Sequence, residues 1–247
     1  MAYNFSPKIV TDGLVLYLDA TNTRSYVSGS TTWNDLSRSV NNGSLINGPT
    51  FNSSNGGNIV FDGTNDYFIT PTGLTPTLNI TSQITLETWI RSTALANVPH
   101  GDGVFSKGLS TDLNSGVYEL NLVNTTTANR PSFRMRIGSS TPLYSPTNIL
   151  IELNTIYNIV CTYNGSIMRI FINGVESGSG LVTSGLIQNS TQPLSIGVRY
   201  VHTITPNDSY FSGNIYISKI YNKALTTSEI LKNYNATKTR FGLWVVT

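Results

Sequence analysis

The stretch IYNIVCTYNGSIMRIFING, residues 156–174, decides the fold. Two runs of β-branched and aromatic residues flank Asn164-Gly165. Both residues of that dipeptide tolerate positive φ, so it predicts a two-residue type I′ turn. The turn sets a register in which Tyr163 faces Ser166, Cys161 faces Met168, Ile159 faces Ile170 and Tyr157 faces Ile172. One face of the hairpin is then almost wholly apolar. The other face, with Thr162 opposite Ile167, Val160 opposite Arg169 and Asn158 opposite Phe171, is mixed. A one-residue slip would send the apolar set into water, so the register is strongly specified. One face seeks a core and the other a wetter surface, as in a sandwich of two antiparallel sheets.

The rest of the chain agrees. Leu14, Leu16 and Leu18 alternate with Val15, Tyr17 and Asp19 in GLVLYLDA. Further strands are expected at GSLINGPTF (43–51), NIVFDGTNDY (58–67) and ITLETWIR (84–91), where Ile84, Leu86, Thr88 and Ile90 oppose Thr85, Glu87, Trp89 and Arg91. Others are expected at 104–107, at 117–123 with Tyr118, Leu120 and Leu122 on one face, and at 132–137 with Phe133, Met135 and Ile137 inward. Residues 194–198 and 213–221 complete the set. Trp33, in a polar stretch, is expected to cover one edge of the core. One helix is predicted near the C-terminus. Thr226-Thr227-Ser228-Glu229 is a capping box, Leu225 and Ile230 form a staple, and Ile230, Leu231 and Tyr234 make an apolar stripe. The tail RFGLWVVT is expected to pack as an edge strand or to meet a partner.

Length and composition bound the answer. A chain of 247 residues fits one large all-β domain. The expectation is a single jelly roll over 1–247, with its core from about 12 to 235 and a tail at 236–247. Charged residues are 11% of the chain and the net charge is +2, so nothing in the composition points to an electrostatic grip on nucleic acid, and no nucleic-acid partner is expected. The polar surface is built from Ser, Thr, Asn and Gly, which favour turns and strands. The single cysteine, Cys161, rules out an internal disulfide and reads as a small buried hydrophobe. No apolar run is long enough for membrane insertion, and the N-terminus lacks the pattern of a cleavable signal. Synthesis in a host cytoplasm is the expectation.

The segments GLVLYLDA, IVFDGTNDY, ITLETWIR, FSKG, NIVCTYNGSIMRIFING, LSIG and FSGNIYISKIYNKALTTSEILKNYNA occur in an order that resembles the concanavalin A-like lectin/glucanase superfamily, in its laminin-G-like jelly-roll branch. The final block, IYNKALTTSEILKNYNATKTRFG, resembles versions found in structural proteins of tailed phages. The resemblance implies a two-sheet antiparallel sandwich with one short helix. It also implies a non-enzymatic virion protein, as head decoration, fibre or tail appendage. Its partners would be other virion proteins and host or environmental polysaccharide, and its location the virion. The alternatives are a cellular lectin module or a glycoside hydrolase.

The resemblance maps a candidate calcium site onto Asp62, Asn65 and Asp66. Calcium takes several hard oxygens, which a Gly-containing turn can bring together. Tyr216 stands where the family often has an acidic ligand, and an ordinary Asx turn explains the same residues. Hydrolysis needs two carboxyl groups flanking a bond, and Glu87 and Glu119 are the candidates. The alternating acidic strand of the glucanase branch is absent, so the two glutamates are read with Arg91, Arg134 and Arg136 as an exposed ladder. For glycan binding, Trp89, Arg91, Arg134 and Arg136 are expected to share a concave face. Tyr200, His202, Asn207, Asp208 and Tyr210 are expected in a binding loop at one end of the sandwich.

Overall fold

The structure is a computed structural model, and it describes residues 8–73, 75–96, 101–108, 116–199 and 209–243. In chain order the strands are β1 (Leu14–Asp19), β2 (Thr32–Trp33), β3 (Gly43–Ile46), β4 (Thr50–Asn52), β5 (Asn58–Asp62), β6 (Tyr67–Ile69), β7 (Ile84–Ser92) and β8 (Asp102–Gly108). They continue as β9 (Gly116–Asn124), β10 (Asn129–Met135), β11 (Leu143–Tyr144), β12 (Ile156–Tyr163), β13 (Ile167–Ile172), β14 (Val175–Val182), β15 (Leu194–Ile196) and β16 (Ser212–Tyr221). The helix α1 (Thr227–Thr237) follows, then a 3-10 turn at Lys238–Phe241.

These strands form two antiparallel eight-stranded sheets. The first runs β14-β13-β12-β7-β16-β5-β4, with β1 beside the C-terminal half of β16. The second runs β11-β10-β9-β8-β15-β6-β3-β2. Alternation drives every inward residue into one core between them. Leu86, Ile90, Ile159, Cys161 and Ile170 come from the first sheet and Phe105, Tyr118, Leu120, Phe133 and Ile196 from the second, all fully buried. Burying each large apolar side chain stabilises the fold by roughly 1.5–3 kcal/mol, which holds the sheets face to face. Trp33 packs edge-on against Phe68 within this core. Burial pushes the Cys161 thiol far up, so it stays protonated.

The hairpin keeps its predicted faces but not its turn. Tyr163 pairs with Met168, Cys161 with Ile170 and Ile159 with Ile172, which is two positions from the expected register. The Asn164 Oδ1 accepts from the N–H groups of Ser166 and Ile167, both at 3.0 Å. Only Gly165 has positive φ, at 93°. This side-chain turn replaces the type I′ turn and widens the loop. A shift of two preserves side-chain alternation, so the apolar set still faces the core.

The capping box is present at the predicted residues. The Thr226 Oγ1 accepts from the Glu229 N–H at 3.3 Å, and the Glu229 carboxylate accepts from the Thr226 N–H at 2.9 Å. Leu225 and Ile230 are buried in one cluster with Val160 and Phe171, which docks α1 on the outer face of the first sheet. The tail does not extend that sheet as an edge strand at 238–241. It forms the 3-10 turn, and Phe241 stacks 4.3 Å from Trp89.

Candidate functional site

The outer surface of β9 and β10 is the most basic part of the second sheet. On β10, Phe133 and Met135 face the core while Ser132 and Arg134 face out. Arg130 and Arg136 continue the outward row on either side. All three arginines are half-buried. Arg134 lies opposite Glu119 of β9. That carboxylate is already engaged: the Arg199 Nε donates to its Oε2 at 3.1 Å, and both side chains are only 2% exposed. The Asn121 amide donates to the same oxygen at 3.2 Å. Burial, and then the Arg199 charge, hold the Arg134 pKa below the ordinary arginine range, with Glu119 acting in the opposite sense. The Nε–H groups of Arg130 and Arg136 are buried without a hydrogen-bond partner among the described residues. Long stems lie along the sheet and keep the charged heads at its surface.

Arg199 reaches this face because the chain crosses β8 at Gly103. A Cβ there would sit 2.1 Å from the Arg199 nitrogen, so only glycine permits the approach. Val198 forms a bridge with Tyr210, whose ring lies 6.4 Å from that of Tyr67. Tyr210 is 8% exposed, and burial, then Tyr67, raises its pKa. Tyr200, His202, Asn207 and Asp208 lie outside the described residues. Arg130 and Arg199 are not legible from the strand pattern. Pro131 reads as the end of a strand, since it cannot donate to a ladder, yet it pairs with Leu122 inside β10. Arg199 sits beyond its strand.

Trp89 and Arg91 do not join Arg134 and Arg136, contrary to the expectation of one shared face. They belong to β7 of the first sheet, and the two outward faces of a sandwich point away from each other. Trp89 is fully buried beneath Tyr234, 5.6 Å away and nearly parallel, and Phe241. It cannot stack on a ligand. Arg91 donates to the Asn154 Oδ1 at 3.3 Å. The expected exposed ladder is corrected as well. Glu87 pairs with Lys219 at 2.6 Å, both wholly buried under α1, and Glu119 pairs with Arg199 on the other sheet. Glu87 and Glu119 therefore do not flank a common bond.

The calcium candidates form a turn that uses its own oxygens. The Asp62 Oδ1 accepts from the N–H groups of Thr64 at 2.8 Å and Asn65 at 3.2 Å. The Asp66 Oδ2 accepts from the Asp62 N–H at 3.1 Å, and the Asn65 carbonyl accepts from the Asn47 amide at 2.8 Å. Desolvation raises the Asp62 pKa, but the backbone donors outweigh it and hold the carboxyl below its usual value. Burial raises that of Asp66. Tyr216 is buried against Phe241 on the outer face of the first sheet and offers no acid. No group of three His, Cys, Asp or Glu residues that could hold a metal occurs among the described residues. These contacts form a hydrogen-bonded turn in which one oxygen of each carboxylate is engaged by backbone N–H groups.

The fold recurs in proteins of known structure. It is similar to domain 4 of AbnA, a GH43 extracellular arabinanase from Geobacillus stearothermophilus, in complex with arabinotriose. The TM-score is 0.61 and the identity 19%, over 91% of this chain and 100% of that one. It is similar to Trypanosoma rangeli sialidase in complex with sialic acid, with a TM-score of 0.64 and 19% identity over 92% of this chain and 33% of that one. It is also similar to botulinum neurotoxin type C, which enters cells in dependence on interaction with two ganglioside molecules. There the TM-score is 0.67 and the identity 15%, over 92% of this chain and 52% of that one. This chain thus spans all of the first chain, which is domain 4 alone, a third of the second and about half of the third. At these identities the likeness shows the fold alone.

The expectation that the chain is not an enzyme does not stand, because its fold occurs within an arabinanase and a sialidase. No curated protein matches the sequence. A laminin-G-type family model, described as the Concanavalin A-like lectin/glucanases superfamily, matches residues 62–231, more than half of the chain, and the chain belongs to that superfamily.

Proposed function

We propose that this chain is a carbohydrate-binding domain whose ligand face is the basic outer surface of β9 and β10, and that the ligand is an acidic polysaccharide. The observation that carries the reading is the row Arg130, Arg134 and Arg136, beside a carboxylate already bonded to Arg199. A guanidinium presents paired donors in a planar fork that matches a carboxylate or sulfate. A row of them on a rigid strand suits a repeating acidic chain better than a single small anion. Polygalacturonate is the probe, with dextran as the uncharged control, in affinity electrophoresis of the full chain. Arg130→Ser and Arg136→Ser are each expected to weaken retardation by polygalacturonate about tenfold, roughly 1.4 kcal/mol. Retardation that is equal in wild type and both variants would overturn the reading.

The finer proposal is that this domain serves attachment or decoration on a virion, beside other virion proteins. The C-terminal block, residues 220–242, supports it through its resemblance to phage structural proteins. Mass spectrometry of particles tests it: a fixed copy number relative to the major capsid protein is expected. Absence from particles, with the protein free or on cells, would favour a cellular lectin.

A further inference from the structure

We infer that a cleft at one edge of the sandwich is a second ligand site, built for an uncharged sugar. It shares with the proposed function only the general class of ligand, and it uses none of the same residues. The cleft has a volume of about 460 Å³, within the range of about 300–1,000 Å³ typical of small-ligand sites. It opens where the last strands of the two sheets come together: β2 and β3 from one, β4 from the other.

Local sequence builds each wall. The chain leaves β3 after Ile46 and joins β4 at Thr50, so it must change sheets within a short turn. Asn47 and Gly48 make that turn with φ of 66° and 107°. The Asn47 amide, bonded to the Asn65 carbonyl, fixes it to the neighbouring loop. The opposite wall is the loop 26–31. It is held by the Ser30 N–H to the Val27 carbonyl at 2.9 Å, and by the Leu45 N–H to the Thr31 carbonyl at 2.7 Å. The floor is Tyr26, Leu45 and Phe51. The Tyr26 and Phe51 rings lie 5.8 Å apart at 36°, and Phe51 keeps part of its surface open.

The chemistry of the lining selects the ligand. None of its eleven residues carries a charge at neutral pH. An ionic ligand would lose hydration there without gaining a counter-charge. The lining combines the hydroxyl-bearing residues Ser28, Thr31 and Thr50 with the aromatic rings of Tyr26 and Phe51. A sugar ring has a matching division: a C–H face for the ring of Phe51 and hydroxyls for the rim. A purely apolar ligand would leave those rim groups unpaired.

The site lies far from the basic row. Along the second sheet β10 and β3 are separated by five strand spacings, about 24 Å at ~4.8 Å each. The two sites can therefore be tested separately on the full chain. A glycan array carries uncharged glucans, arabinans and mannans beside uronate- and sulfate-bearing oligosaccharides, and the strongest uncharged binder is then titrated. Wild type is expected to bind at least one uncharged family. Phe51→Leu is expected to weaken that binding about tenfold, Phe51→Tyr to retain it, and Arg136→Ser to leave it unchanged. Phe51→Leu also trims a core contact, so Ser28→Trp, at an exposed position, supplies a second variant that fills the cleft and should abolish binding. Absence of any uncharged binder would overturn the inference, as would equal binding by Phe51→Leu and Ser28→Trp. If acidic glycans still bind through Arg130 and Arg136, the proposed function survives that result. If uncharged glycans bind through Phe51 and polygalacturonate binding ignores the arginines, the inference stands and the acidic reading falls.

Discussion

Glu87 and Lys219 show how far a single position departs from its strand pattern. Both are outward residues, yet α1 covers them completely and they meet at 2.6 Å. The Asn233 amide donates to the second Glu87 oxygen at 2.7 Å and to the Tyr221 hydroxyl at 2.9 Å. A buried ion pair is tolerable only when such partners fill its remaining positions. Lys219→Met leaves the carboxylate alone and is expected to cost roughly 3–5 kcal/mol in urea unfolding. Adding Glu87→Gln should recover part of the loss, and an unchanged midpoint in Lys219→Met would refute the account. Lys107 is a contrast. It is 1% exposed, its ammonium donates to the Gln192 carbonyl, and burial lowers its pKa to about 8. From about pH 8 to the ordinary lysine value near 10.4, the unfolded chain holds a proton that the folded chain lacks. Stability should therefore rise with pH across that window, relative to Lys107→Met, which should also be the more stable form at pH 7. A flat difference between the two unfolding profiles from pH 7 to 10 would exclude a neutral Lys107.

At the scale of elements, α1 is the piece that converts the outer face of β7 from surface to interior. Its start is set by Thr226 and Glu229, and its docking by Ile230, Tyr234 and the following Phe241. Thr226→Ala is expected to lower stability by about 1 kcal/mol. Because Trp89 lies under the helix, quenching of its fluorescence by acrylamide should rise in that variant, measured with Trp33 and Trp244 replaced by Phe. Unchanged quenching would mean that the cap does not control the docking. The cap was legible because its chemistry is local: two residues three apart satisfy each other's backbone. The alternating strands were legible for the same reason, as Tyr118, Leu120 and Leu122 show. The hairpin turn was misread because Asn164 has two ways to make a turn, and its side chain takes the one that sequence does not rank. Strand β14 was invisible, since VESGSGLV carries the residues of a loop and lies half in solvent with Gly178 and Gly180 at positive φ.

Strand order belongs to the whole molecule, and there the sequence is nearly silent. β16 lies between β7 and both β1 and β5, pairings that no local pattern contains. That is why Trp89 and Arg134 could each be placed on an outward face without showing that those faces look in opposite directions. It is also why the Tyr26–Phe51 cleft was missed, since it exists only where the edges of the two sheets meet. The same view separates the ligand chemistries. In the Asp62–Asp66 turn one oxygen of each carboxylate is held by backbone N–H groups, and no third acid joins them among the described residues, so the melting temperature should be the same in excess calcium and in EDTA. A rise of several degrees with calcium would show an ion that binds the folded state. For the two proposed sites, salt is the discriminating variable. Raising ionic strength from about 0.1 M to about 1 M shortens the screening length from about 10 Å to about 3 Å. Binding of polygalacturonate to the arginine row should weaken steeply over that range, and Arg136→Ser should show a shallower dependence because it has one charge fewer to screen. Binding of an uncharged oligosaccharide in the cleft should hardly change, since its contacts are ring faces and hydroxyls. Salt-insensitive binding of polygalacturonate would remove the electrostatic basis of the first site. Salt-sensitive binding of the uncharged sugar would place that ligand on the basic face instead of in the cleft.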